Sequence, residues 1–212
     1  MPYGTNNIFF IPKGKVPAGR TVTYGRIVAK IRPQKAETHR TRLTVEGNLI
    51  NFPGDVTTPT ADLITSKLIF NSVLSTKNAK FMCADIDNFY LNNPMIRYEY
   101  MKLPLEIIPQ EIIQQYKLIN LAHKGFVYME IQKCMYGLPQ AGKFSNDKLK
   151  LHLAKFGYES APITPGLWRH QTRLLQFSLV VDDIGINMSA KRTSHISSMH
   201  LRRFIKYLRT GM

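Results

Sequence analysis

The chain has 212 residues, an apolar fraction of 44% and a formal net charge of +15. A chain of this length and composition can bury a core, so disorder throughout is excluded, and the charge favours a polyanionic partner, most simply a nucleic acid. The only two cysteines, Cys83 and Cys134, lie far apart, which argues against a zinc ribbon or a disulfide framework. No signal peptide or membrane-spanning run of about 18 residues is found, so we expect a soluble intracellular protein, cytoplasmic or nuclear.

The first half of the chain is predicted to contain strands and one helix. Partly alternating β-branched runs between residues 21 and 51, broken at residues 32–34, predict two or three strands with basic loops. A helix is predicted next, capped by Thr58 with Pro59 in its first position. Its predicted apolar face consists of Leu63, Ile64, Leu68, Phe70, Val73 and Leu74. Residues 80–85 predict a short buried strand that ends on Asp85.

The second half continues the mixture and indicates an α+β fold. We predict a weak helix at residues 108–119, a strand at 125–131 and a stronger helix at 142–156. Two apolar runs between residues 174 and 186 flank Asp182 and Asp183, which is typical of a tight hairpin. Residues 187–212 contain six Lys or Arg and no Asp or Glu. They are interpreted either as a basic C-terminal helix or as the product of a slipped reading frame or a truncated gene.

The end of the strand and the tip of the hairpin can bring three carboxylates together. Asp85, Asp182 and Asp183 would repel one another unless a cation lay between them, and hard oxygen ligands select Mg²⁺ or Mn²⁺. Two such ions can hold a triphosphate and activate a 3′-hydroxyl. The alternative is that two adjacent acids followed by Ile and Gly simply form a solvent-exposed turn, in a basic domain of another kind.

Four segments, in the same order along the chain, resemble the reverse transcriptase of copia-type LTR retrotransposons. They read RTRLTVEG at residues 40–47, ADIDNFYLN at 84–92, MYGLPQAG at 135–142 and VVDD at 180–183. In that family the first belongs to a fingers strand, the second and fourth carry the catalytic aspartates, and the third packs on the template and incoming nucleotide. The resemblance extends from about residue 21 to residue 186.

The resemblance implies that Asp85, Asp182 and Asp183 are the catalytic residues and bind Mg²⁺ or Mn²⁺, with the backbone carbonyl of Ile86 as a further ligand. This sequence departs from the family's pattern at one residue next to the implied metal ligands. Asp87 stands where copia-type relatives commonly have Lys, and its added negative charge could weaken phosphate binding.

Four further residues are implied in substrate binding. Arg40 and Arg42 would reach the triphosphate, or they belong to a solvated basic strand. The ring of Tyr90 would lie under the sugar and favour deoxynucleotides, or it is a core tyrosine beside Phe89. Gln140 would support the nucleotide and template, or it is a polar residue at the start of a helix.

The resemblance also implies an architecture. We expect a palm-like antiparallel sheet backed by helices and a β-rich fingers subdomain, without a thumb. Residues 1–58 would form the fingers-like region, residues 59–186 the palm-like catalytic region with fingers elements, and residues 187–212 a basic tail.

The expected function is RNA-directed DNA polymerisation by a fragment of a retrotransposon polyprotein, with a primed RNA or DNA template and dNTP as partners. Val180 replaces an aromatic residue that usually opens the last motif. Without a thumb, we expect little or no processive synthesis. The alternative function is a catalytically inactive relic that binds nucleic acid through its basic surface.

Overall fold

The computed structural model describes residues 6–34 and 36–189. The α+β fold class is confirmed within these residues, which form two five-stranded sheets and a few helices. In chain order the elements are β1 (Ile8–Ile11), β2 (Val22–Ile31), β3 (His39–Val45), α1 (Leu63–Ser75), β4 (Ala79–Asp85), β5 (Pro94–Pro104), α2 (Gln110–Gln115), β6 (Phe126–Lys133), α3 (Ala141–Ala154), β7 (Tyr158–Ser160), β8 (Leu167–His170), β9 (Leu175–Val180) and β10 (Asp183–Ser189).

The chain divides into two compact units, and the first combines the described residues up to 56 with residues 90–144. Its sheet has the strand order β1-β6-β5-β2-β3, in which only the β2–β5 pair is parallel. Apolar side chains of β5 and β6, such as Met101, Val127 and Ile131, are fully buried in its core. β2 pairs with β5 only over its first three residues, so most of β2 is paired with β3 alone.

The second unit contains residues 57–89 and the described residues from 145 onward. Its sheet has the order β4-β10-β9-β8-β7, and every strand pair is antiparallel. α1 packs against β10, β9 and β4. Trp168 is buried and stacks on Phe177, with ring centroids 5.8 Å apart and an interplanar angle of 4°. This sheet carries Asp85 and Asp183, and Asp182 lies in the turn between β9 and β10.

The predicted start of α1 is wrong. The helix begins at Leu63, and the side chain of Asp62 caps it by accepting a hydrogen bond of 2.7 Å from the backbone N–H of Thr65. This hydrogen bond lowers the pKa of Asp62 below its ordinary value. A carboxylate that satisfies a first-turn N–H is one of the best N-caps, and this explains why the helix does not extend back to Thr58 and Pro59.

The predicted apolar face of α1 is also wrong. The helix buries Ile69 and Thr65, while Leu63, Ile64, Leu68 and Leu74 are each more than 60% exposed. Residues 65 and 69 are one turn apart and therefore share the face that meets the sheet. Because apolar residues occur on most sides of this helix, periodicity could not identify the buried side.

The strands and helices around the candidate site agree better with the predictions. β9 and β10 form the predicted tight hairpin, and α3 and β6 lie within a few residues of their predicted bounds. β4 is present but is not buried, because it is an edge strand and both Phe81 and Cys83 are exposed. The predicted helix at residues 108–119 is reduced to α2 and short 3₁₀ turns.

Two remaining predictions concern the ends of the fold. β10 continues to Ser189 in register with β4, so the first three residues of the predicted basic tail are part of the sheet. Residues 190–212, to which both interpretations of the tail apply, lie outside the described residues. Within the described ranges, none of the helices has the length and apolar character needed to cross a membrane.

Candidate active site

The pairing of β4 with β10 brings two of the three predicted catalytic aspartates together. Asp183, the first residue of β10, lies directly opposite Asp85, the last residue of β4. Both side chains are exposed. Side chains of directly opposite residues project from the same face of an antiparallel pair. These two carboxylates are therefore neighbours although 97 residues separate them along the chain.

Asp182 is held beside this pair by the backbone. The N–H of Ile86 donates a hydrogen bond of 3.0 Å to the carbonyl oxygen of Asp182. The positions of Ile86 and Asp182 thus form a hydrogen-bonded pair that extends the β4–β10 ladder by one step. Since such pairs alternate with non-hydrogen-bonded ones, Asp85 and Asp183 form a non-hydrogen-bonded pair, in which the Cα atoms are only about 4.5 Å apart.

The hairpin that presents the aspartates has an unusual backbone. Only Val181 and Asp182 connect β9 to β10, because Val180 is already paired with Asp183. Val181 has a φ of +60°, a left-handed conformation that is rare for a β-branched residue. Holding valine in this region costs about 1–2 kcal/mol. The turn is therefore strained at the residue before the two aspartates.

The resemblance implies a divalent ion at this site, so the charge and donor atoms of the aspartates must suit such an ion. Like charges directly opposite each other destabilise a strand pair, and a cation between them removes this cost. Carboxylate oxygens are the donors that Mg²⁺ and Mn²⁺ prefer. Within the described part of the chain, no group of three or more His, Cys, Asp or Glu side chains has converged into a metal cage. Asp85 and Asp183 nevertheless offer carboxylate donors from directly opposite backbone positions, and this donor set fits a shared ion.

The predicted substrate-binding residues Arg40, Arg42, Tyr90 and Gln140 all belong to the first unit. Arg40 and Arg42 lie on β3, where Arg40 is half-buried opposite Lys30 and Arg42 is exposed. Tyr90 is half-buried and packs against the core of this unit.

Tyr136 connects two of these residues, and the sequence did not single it out as a site residue. The guanidinium of Arg42 lies over the ring of Tyr136, 4.8 Å from its centroid. The ring of Tyr90 meets the ring of Tyr136 edge-on, with centroids 4.9 Å apart. The only sequence signal for this role was its position inside the third motif.

The backbone beside Tyr136 is locked onto the end of β3. The N–H of Val45 donates a hydrogen bond of 2.9 Å to the carbonyl oxygen of Tyr136. Gly137 has a φ of +98°, and a Cβ atom on it would lie 1.8 Å from the carbonyl oxygen of Val45. Only glycine fits there, so the main chain that carries Tyr136 is held close to the end of β3.

Gln140 lies in a polar network within the first unit. Its side chain is fully buried, and its Nε2 donates a hydrogen bond of 3.3 Å to Oε1 of Glu99. Glu99 is also buried and forms an ion pair of 2.9 Å with Arg20. Oε1 of Gln140 has no hydrogen-bond partner among the described residues.

Comparisons with known proteins add no family assignment. No model of a protein family matches the chain, and no curated protein matches it.

Proposed function

We propose that the chain is the catalytic fragment of a retroelement reverse transcriptase, which extends a DNA primer on an RNA template by metal-dependent nucleotidyl transfer. The observation that carries the proposal is the register of β4 and β10, in which Asp85 and Asp183 are cross-strand neighbours beside the turn residue Asp182. The order of the four motifs supports the same reading, as does an antiparallel sheet with α1 packed against it.

In this proposal Asp85, Asp182 and Asp183 hold the metal ions, and the carbonyl of Ile86 is a further ligand. The ions, when bound, lower the pKa of the primer 3′-hydroxyl and neutralise charge on the triphosphate. The chain itself supplies the orientation. Cross-strand pairing fixes Asp85 against Asp183, and the hydrogen bond from Ile86 fixes the carbonyl of Asp182 next to them. Arg40, Arg42 and Tyr90 retain their proposed roles in binding the nucleotide and template, whereas Gln140 is buried against Glu99 and is not proposed to contact either.

Single-nucleotide incorporation tests the proposal without requiring processive synthesis. The chain is incubated with a DNA primer on an RNA template and one matching dNTP, in Mg²⁺ and separately in Mn²⁺. We expect incorporation that Asp182→Asn reduces by at least about 100-fold, since removing a metal ligand costs several kcal/mol of transition-state stabilisation. Glu111→Gln removes an exposed carboxylate of α2 in the other unit and should leave the rate unchanged.

The same assay separates the proposal from the alternative of an inactive relic. Binding of primer–template with a steep salt dependence is expected of both, because both have the same excess of positive charge. If the chain incorporates no nucleotide in either metal ion, the relic is the better description. Asp87, next to Ile86, favours that outcome. Its carboxylate adds negative charge near the site, and this charge repels an incoming triphosphate.

A further inference from the structure

A second candidate site lies within the second unit, at the other end of the β9–β10 pair from the aspartates. A cleft of about 390 Å³ opens there between α1, the loop after β8 and the paired positions Gln176 and Asn187. Asn187 lies four positions after Asp183 on β10, which corresponds to about 13 Å along a strand. The cleft is therefore distinct from the paired carboxylates.

The charge of the cleft favours an anion. Arg169 and Arg173 both line it, and none of its lining residues in the described part of the chain is acidic. Arg169 also forms an ion pair of 2.9 Å with Glu159, but both side chains are largely exposed. An exposed pair of this kind contributes little, so Arg169 can exchange it for a phosphate oxygen at small cost.

The loop that carries Arg173 is held by hydrogen bonds before any ligand binds. Nδ1 of His170 accepts hydrogen bonds of 3.1 Å from the backbone N–H of Thr172 and from that of Arg173. An Nδ1 atom that accepts two hydrogen bonds carries no proton, so the ring is held in one tautomer. The loop is thus ordered in advance, which reduces the entropy lost when an anion binds.

A second feature of the cleft, which does not depend on charge, is the buried side-chain amide of Asn187. It is only 7% exposed, and its Nδ2 donates a hydrogen bond of 3.0 Å to Oγ of Ser72. Its Oδ1 is buried, lies on a residue that lines the cleft, and has no hydrogen-bond partner among the described residues. A buried acceptor without a donor is costly, and a ligand with a hydroxyl group would satisfy it.

We propose that this cleft binds a phosphate ester with an adjoining hydroxyl group, namely a ribonucleotide unit, either free or within an RNA strand. Arg169 and Arg173 contact the phosphate, and Oδ1 of Asn187 accepts a hydrogen bond from the sugar hydroxyl. This site needs no divalent ion and takes no part in nucleotidyl transfer, so it goes beyond the proposed polymerase function.

Nuclear magnetic resonance of the full chain in EDTA tests the proposal independently of the aspartates. Adenosine 5′-monophosphate, inorganic phosphate and a short RNA are titrated separately while the backbone signals of Thr172 and Arg173 and the side-chain amide of Asn187 are followed. We expect the nucleotide to shift all three. The double variant Arg169→Gln with Arg173→Gln should weaken its binding by roughly tenfold or more, because charged hydrogen bonds to phosphate are lost.

The matched control is Lys150→Gln with Lys155→Gln, which removes the same charge from exposed positions of the same unit. It should change the binding of the nucleotide by less than about twofold, since exposed charges outside the cleft are screened. RNA that binds more tightly than the nucleotide at the same signals identifies a strand as the ligand, and equal or weaker binding of RNA identifies a free nucleotide. The proposal is overturned if the three signals do not move, if the control weakens binding as much as the arginine variant, or if inorganic phosphate binds as tightly as the nucleotide.

Discussion

Tyr136 lies against two of the residues that were predicted to bind the nucleotide. Its ring contacts both the guanidinium of Arg42 and the ring of Tyr90, and its own backbone is hydrogen-bonded to Val45. A cation over an aromatic face contributes about 0.5–2 kcal/mol. If Arg42 binds the triphosphate as proposed, Tyr136 is a positioning residue, because its ring contacts the guanidinium rather than the nucleotide.

We predict that Tyr136→Ala raises the KM for dNTP by roughly 3- to 10-fold and leaves kcat nearly unchanged, because it releases Arg42 without touching the aspartates. Tyr136→Phe keeps the aromatic face and should retain the KM of the parent chain. Steady-state incorporation kinetics of the two variants make the comparison. A fall in kcat at constant KM, or equal effects of Phe and Ala, would contradict this role.

At the residue scale, the sequence indicated candidate site residues by their type and motif, but it did not predict which side chains they contact. Asp85, Asp182 and Asp183 were predicted as a group from the strand end, the hairpin tip and their motifs, and the register of β4 and β10 places Asp85 opposite Asp183. Gln140 was expected to face the substrate, but in the structure it is buried against Glu99. That contact spans 41 residues, and no local pattern in the sequence reports a pairing of that range.

The β9–β10 hairpin is the element whose backbone conformation is most unusual. Its turn places Val181 at a φ of +60°, where glycine would be unstrained. Strain at a turn that presents candidate catalytic groups is typical of functional sites.

We predict that Val181→Gly stabilises the chain by on the order of 0.5–1 kcal/mol, since relief of the left-handed strain exceeds the extra entropy of glycine in the unfolded state. Val180→Gly, one residue earlier in β9, should instead destabilise it by about 1 kcal/mol, because that backbone is extended and paired. Thermal unfolding measured by calorimetry compares them. If both substitutions destabilise equally, the turn is not strained as described.

At the same scale, elements with a clear local signal were predicted well and the others were not. The hairpin and α3 follow from apolar runs bounded by turn residues, as their positions confirm. The start and buried face of α1 were missed because Asp62 outcompetes Thr58 as a cap and because apolar residues surround the helix. β5 carries alternating charged and aromatic residues and a register shift between Pro94 and Glu99, which obscured its strand pattern.

On the scale of the whole molecule, the chain has a net charge of +15 and divides into two compact units. Positive charge raises the local concentration of a polyanion. The chain has fewer acidic than basic side chains, so many Lys and Arg side chains can contact that polyanion. The candidate metal ligands belong to one sheet, although they come from segments almost one hundred residues apart. Composition favours a polyanionic partner, which stays a prediction, while the meeting of those segments depends on the long-range pairing of β4 with β10.

The proposed chemistry requires that the end of β4 and the start of β10 together bind a divalent ion. Electron paramagnetic resonance of Mn²⁺ titrated into the chain measures this directly. We predict that Asp85→Asn and Asp183→Asn each weaken Mn²⁺ binding by roughly tenfold or more, whereas Glu111→Gln leaves it unchanged. Mn²⁺ binding that is as tight in both aspartate variants as in the parent chain would contradict the account.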